Sequence, residues 1–300
     1  MPGKEIQYII EDDERIDTLL SKKFKEHSRT YFQSLLEKGL IISNGLTVKK
    51  RERLKIGTLI TINFLEKPPQ DYAPQNIPLE ILYQDEHLII INKQQGIVVH
   101  PAPGHPSNTL INALLFEYQE LTSKESIRFG IVHRLDKDTS GVMVIAKNEK
   151  VHTALSKLFQ NREIKKEYLA LCIGHPGNKV LHNFLRRDPS DRKKYTVSDT
   201  GKEAISEIET LKFHKGYSLV KITPKTGRTH QIRVHLKSLG TPVIGDPIYG
   251  SSKNTKELKI SSGQFLHAHK LEFIHPMTGA NLTFEAPIPE RFEHLKKTLF

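Results

Sequence analysis

The placement of apolar runs constrains this chain more than any other feature. Beyond residue 78, strand-like runs fall at 79–83, 88–92, 142–147, 168–173, 204–211, 218–223, 265–273 and 282–285. Helical spacing intervenes at only four places, 108–118, 151–160, 230–238 and 289–298. Strands that outnumber helices and do not alternate with them exclude a doubly wound parallel sheet. The expectation is an α+β fold, with helices packed on a mixed, mostly antiparallel sheet. Neither common Gly-rich phosphate loop is present, which removes the usual reason to expect a nucleoside triphosphate or dinucleotide cofactor.

The first sixty residues follow another pattern. After Asp13, a plausible N-cap, Ile16, Leu19, Leu20 and Phe24 recur at helical spacing, predicting a helix to about Glu26. Ser28 can cap a second helix that buries Tyr31, Phe32, Leu35 and Leu36, and Gly39 is placed to end it. Two helices are thus expected first, then strands at 40–42 and 46–48 joined by Asn44-Gly45, a strong hairpin signal. The expected organisation is a helix-helix-hairpin domain over 1–65, a stiff Pro-rich linker over 66–78 and a larger domain over 79–300.

Composition narrows the partners. The 300 residues carry a formal charge of +11, and 14–64 alone hold eleven basic residues against five acidic. Such an excess favours a polyanion, with nucleic acid the leading candidate. Lys22, Lys23, Arg29, Lys49, Lys50 and Arg51 are placed to meet phosphates; for any single lysine, a solvated surface charge is the competing reading. The apolar runs are too short to span a bilayer and the N-terminus lacks a leader pattern, so a cytoplasmic protein without membrane contact is expected. The single cysteine, Cys172, allows neither an intrachain disulfide nor a thiolate-rich zinc site.

Two polar clusters stand out in the larger domain. GIVHRLDKDTSGVMVIAK (130–147) places Arg134 and Asp136 either side of one apolar residue in a loop that feeds a strand; taken alone, its turn-forming residues favour an Asx turn. PKTGRTHQIRVHLKSLG (224–240) gathers Arg228, His230 and Arg233 about a helix start, with Gly227 available for an unusual backbone turn. Such clustering suits a buried carboxylate or a phosphate. His267 and His269 share a strand face, a spacing open to metal, but no carboxylate-rich or cysteine cluster accompanies them and no metal is expected. Leu266, Ile274 and Ile131 are expected in the core.

HRLDKDTSG and TGRTHQIRVHL resemble the signature segments of the RluA-type pseudouridine synthases. QGIVVHP, KKEYLAL, GTPVIGDPIYG and LHAHKLEFIHP extend the likeness over residues 80–300. One departure is Lys93-Gln94-Gln95-Gly96, where the family commonly shows Lys-Pro-Ala-Gly. Residues 14–64 resemble the RNA-binding module of ribosomal protein S-four. The resemblance implies an isomerase that converts uridine to pseudouridine without a cofactor, on RNA rather than DNA, most naturally large-subunit ribosomal RNA or a pre-ribosomal particle. It implies Asp136 as the catalytic carboxylate, by covalent attack or by removing a sugar proton; Arg233 as its charge partner; Tyr168 as stacking group and proton acceptor; and Arg134 as the residue that holds the base flipped out. A salt bridge from Arg134 to Asp138 is the structural alternative. Arg228 and His230 are expected to contact RNA. Rival readings are a noncatalytic RNA-binding or assembly factor, a base-releasing glycosidase, and the same isomerisation on transfer RNA.

Overall fold

In the computed structural model, residues 5–65, 73–102, 104–118, 130–261 and 263–300 are described. The chain divides into two compact units, Met1–Asp71 and Tyr72–Phe300.

The first unit opens with a strand, β1 (Glu5–Ile9), so the helices do not come first as the periodicity predicts. Helices α1 (Ile16–Lys23) and α2 (Arg29–Glu37) follow, then β2 (Ile41–Ser43), β3 (Leu46–Thr47) and β4 (Leu59–Asn63). The strands form an antiparallel sheet in the order β1-β4-β2-β3. Leu20, Phe32, Leu35, Ile41, Ile60 and Ile62 are completely buried between helices and sheet. Helix α1 starts after Arg15, not at Asp13, because the chain there is held extended: Arg15 bridges Arg53, and the Ile16 amide donates to the Glu52 carbonyl at 3.0 Å. It ends at Lys23 because Phe24 leaves the helix to pack on Tyr8, Phe32 and Phe64. Ser28 does cap α2, accepting from the Tyr31 amide. Asn44 and Gly45 both have positive φ, as the tight hairpin turn requires.

The second unit is a mixed sheet with helices on it. Its strands are β5 (Glu80–Gln84), β6 (Leu88–Lys93), β7 (Ser140–Ala146), β8 (Lys165–Ile173), β9 (Lys179–Arg187), β10 (Tyr195–Ser198), β11 (Lys202–His214), β12 (Tyr217–Pro224), β13 (Leu266–Ile274) and β14 (Asn281–Glu285). The order is β10-β9-β11-β12-β8-β13-β7-β6-β5, with β14 beside β13, and among the described strands the only parallel pair is β13 with β7. Its helices are α3 (Leu110–Glu117), α4 (Glu149–Gln160), α5 (Gln231–Ser238), α6 (Ser252–Glu257) and α7 (Glu290–Leu299). None is long and apolar enough to cross a membrane.

Strands β6 and β7 read as unbroken apolar runs because both faces are covered, with α3 and α4 contributing Leu110, Leu114, Val151 and Leu155 to their core. Strand β8 alternates instead. Leu169 and Leu171 pack toward α7, while Ala170 and Cys172 pack with Ile232 and Leu236 of α5. Period-two alternation therefore turns Lys166 and Tyr168 to the α5 side. Ile274 is 57% exposed at the end of β13, not in the core as expected; Ile131 and Leu266 are buried. The first half of the expected linker, 66–72, lies outside the described residues. Its second half docks on α3, where the Asn112 side chain donates to the Ala73 carbonyl at 2.9 Å.

Candidate active site

Three segments meet over the α5 side of the sheet: the loop before β7, the start of β8, and the β12–α5 turn. They enclose a cleft of about 130 Å³ lined by Asp136, Arg134, Tyr168, Arg228, His230 and Arg233, with Leu266 among the apolar contacts. The loop before β7 is pinned from behind. Gly141 has φ +118°, and a Cβ there would come within 2.2 Å of the Ala268 carbonyl oxygen, so only glycine allows β7 to lie this close to β13.

The β12–α5 turn departs from expectation. Gly227 does not adopt a left-handed conformation; the left-handed residue is His230, with φ 57° and ψ 15°. The Gln231 side chain organises the turn by accepting from Thr226 Oγ1 (2.7 Å) and the Arg228 amide (3.0 Å), and by donating to Ile205 O and Ser206 Oγ. With the loop held at both ends, His230 is the residue left to reverse the backbone.

Arg233, 97 residues from Asp136, is brought against it: Nη1 donates to Asp136 Oδ2 at 2.8 Å. The same guanidinium grips a second carboxylate that the sequence reading did not single out. Nε donates to Asp246 Oδ2 at 2.6 Å and Nη2 to Asp246 Oδ1 at 2.9 Å, a two-pronged pair that is fully buried on the Asp246 side. Asp246 also accepts from the Ile248 and Tyr249 amides. Burial alone would raise the Asp246 carboxyl; the Arg233 guanidinium overrides this and holds it below the usual carboxylate range. Burial likewise opposes the charge on Arg233, and the two carboxylates more than offset it, raising its pKa.

Asp246 is thus saturated, whereas Asp136 retains an oxygen. No hydrogen bond to Oδ1 is made among the described residues, and His230 Nε2 stands 4.0 Å from it. Burial lowers the His230 pKa, and its Nδ1 lies 2.9 Å from Tyr249 Oη, which accepts from the Tyr195 amide. Burial, then the Asp136 charge, push the Tyr168 hydroxyl upward, so it rests as the neutral phenol. The site therefore offers a side-chain oxygen of Asp136, oriented by the buried Arg233 guanidinium, in a cleft shared with an aromatic ring. That arrangement can attack or deprotonate a sugar while a flat base lies against the ring.

Behind the loop, Lys93 is buried and its Nζ donates to the carbonyls of Gln94, Ile97 and Lys137 at 2.7, 2.9 and 3.1 Å. Burial lowers its pKa to about 7 against the opposing pull of Asp138 and Asp136. The unusual Gln95 is anchored by a hydrogen bond from Arg291 Nη1. Arg134 is exposed, and none of the described ion pairs joins it to Asp138, so the salt-bridge alternative does not form. Arg228 donates Nε to the Glu203 carbonyl at 2.8 Å. His267 and His269 are engaged with Ser140 and Ala286, and no metal-binding group of three donors occurs among the described residues. In the first unit, Lys22 pairs with Glu14, Lys23 with Glu11, Arg29 with the buried Asp17 and Lys50 with Glu37. Lys49 and Arg51 have no described ion pair.

Residues 87–238 match the RNA pseudouridylate synthase family. The chain belongs to that family. The synthase is 42% identical over 292 residues to an uncharacterized RNA pseudouridine synthase of Aquifex aeolicus, covering 94% of this chain and 92% of that one. It is 37% identical to the ribosomal large subunit pseudouridine synthase D of Xanthomonas campestris pv. campestris, covering 95% and 88% respectively. Among solved structures, human RNA pseudouridylate synthase domain containing 4 superposes with a TM-score of 0.57 at 27% identity, over 72% of this chain and 90% of that one. This synthase is an isomerase acting on RNA, as the signature segments imply.

Proposed function

We propose that this synthase isomerises uridines of large-subunit ribosomal RNA, with Asp136 acting at the glycosidic link of an extruded nucleoside. The observation that carries the reading is the Asp136–Arg233–Asp246 array at the base of the cleft, with one Asp136 oxygen uncommitted. The C1′–N1 bond breaks, the base turns, and a C1′–C5 bond forms; the C5 proton leaves and N1 gains one, so mass is unchanged. Asp136 supplies either the nucleophile or the base at the sugar. Tyr168 stacks on the base. As a neutral phenol, its hydroxyl takes the C5 proton only while passing its own proton on. Arg134, exposed at the rim, fills the gap left by the flipped base, at a cost in unstacking of a few kcal/mol that the folded RNA imposes. Arg228 and His230 border the bound nucleotide, and Lys49 and Arg51, whose side chains form no described ion pair, contact phosphates from the first unit. The large-subunit assignment draws on the names of several relatives, among them the Xanthomonas and Escherichia coli K12 proteins.

Asp136→Asn should reduce isomerisation by about 10³-fold or more while RNA binding is retained. Loss of binding in step with activity would refute a chemical role. Mapping pseudouridine across ribosomal and transfer RNA, with and without the protein, tests the substrate; sites confined to transfer RNA would overturn the ribosomal assignment.

A further inference from the structure

A second chamber opens from the cleft beside Tyr168. Its volume of about 480 Å³ is ordinary for a ligand pocket. It shares Arg134, Lys166, Tyr168 and Arg228 with the cleft, and no carboxylate is among its described lining residues. Two of its cations are already engaged, Arg162 with Glu203 at 2.6 Å and Lys225 with Glu207 at 3.0 Å.

Lys166 differs. It lies one pleat from Tyr168 on the same face of β8. It is half-buried, and among the described residues its side chain forms no ion pair or hydrogen bond; its described contact is the Phe159 ring, 6.0 Å from Nζ. Burial lowers its pKa to about 8, which leaves it largely cationic at neutral pH. A cation drawn out of water without a counter-ion is costly unless an anion arrives. Part of the lining is aromatic. The His133 ring stacks on Phe159, with centroids 4.6 Å apart and planes 27° apart. Its Nε2 accepts from the Val144 amide, and burial lowers its pKa to about 3, so this surface is uncharged. An uncompensated cation beside a flat neutral surface is complementary to one phosphodiester and one base.

Resting on the reading that a uridine occupies the cleft at Asp136, we propose that this chamber is a subsite for the adjoining nucleotide. Lys166 binds the phosphodiester that links it to the target, and the His133–Phe159 pair receives its base. Lys166 is then a positioning residue that acts on affinity and register, not on bond cleavage.

The test uses the full chain and unmodified transcripts of large-subunit ribosomal RNA. A short synthetic RNA around the mapped site then carries a single uncharged methylphosphonate on either side of the target. Lys166→Gln should raise KM roughly tenfold with a smaller change in kcat, and lower the salt slope of binding by about one. Lys166→Arg should restore KM. One of the two methylphosphonates should weaken the wild-type protein by the same factor and Lys166→Gln no further. Unchanged KM in Lys166→Gln overturns the subsite, as do losses that multiply in full at both positions. Should Lys166→Gln fail to fold, the methylphosphonate series on the wild-type protein decides alone: no loss at either position overturns the subsite. If the wild-type protein isomerises no ribosomal or transfer RNA, the uridine reading itself fails, an outcome distinct from normal isomerisation with a silent Lys166.

Discussion

Replacing Arg233 with methionine removes the cation while keeping much of the side chain's bulk. Arg233 is 3% exposed and makes three charge-assisted hydrogen bonds, two to Asp246 and one to Asp136. Its loss leaves the Asp246 carboxylate buried with only two backbone amides, a situation that typically costs about 3–5 kcal/mol. Against a total stability on the order of 5–15 kcal/mol, that is a large fraction. The pH dependence gives a sharper signature. In the wild-type protein the Asp246 pKa is depressed, so the unfolded state binds the proton more tightly. The associated stability is present above the ordinary carboxylate pKa and is lost as pH falls through the depressed value. Without Arg233, burial dominates and the pKa rises, so stability falls as pH increases from about 4 toward neutrality. The gap between Arg233→Met and wild type should therefore widen from pH 5 to pH 7.5. Urea unfolding followed by far-UV circular dichroism measures it, since the chain has no tryptophan to report. A loss under about 1 kcal/mol at neutral pH, or a gap that does not change with pH, would refute the claim that Arg233 neutralises a buried charge.

Tyr168→Phe should bind RNA normally yet lose product formation, measured as kcat at saturating RNA; full activity would exclude a necessary hydroxyl. Arg134→Ala should lose activity selectively on folded RNA, with a short unstructured strand spared, and equal losses on both would remove its base-flipping role. Gly141→Ala places a Cβ at a backbone carbonyl in a region hostile to side chains and should destabilise by about 3 kcal/mol or more, read from the urea midpoint; a shift of a few tenths of that would mean the strands are not held so close.

How much of this could be seen in the residues depended on range. The apolar runs of β6 and β7 and the Asn44-Gly45 turn are local signals, and the structure places them where periodicity predicts. The α+β class followed from the same runs. Strand β1, with only Ile6 and Tyr8 facing inward, is too short to stand out. Strand β9 buries Leu185 and packs Leu181 on one face but also carries Val180 at 62% and Phe184 at 41% exposure on the other, so apolar residues on both faces blur the alternation. Asp246 was hidden for another reason: within Gly-Asp-Pro it has the composition of any turn, and its meaning comes from Arg233, thirteen positions earlier. The left-handed His230 was obscured by Gly227, the residue better suited to that conformation but not the one used.

One guanidinium fastens the loop before β7, helix α5 and the turn after it. The last two are neighbours in sequence, but the loop lies 97 positions before Arg233, so Asp136 meets its cation only across the intervening strands. The anchored carboxylate is therefore a product of the finished tertiary structure, and no single segment of the chain carries it ready-made.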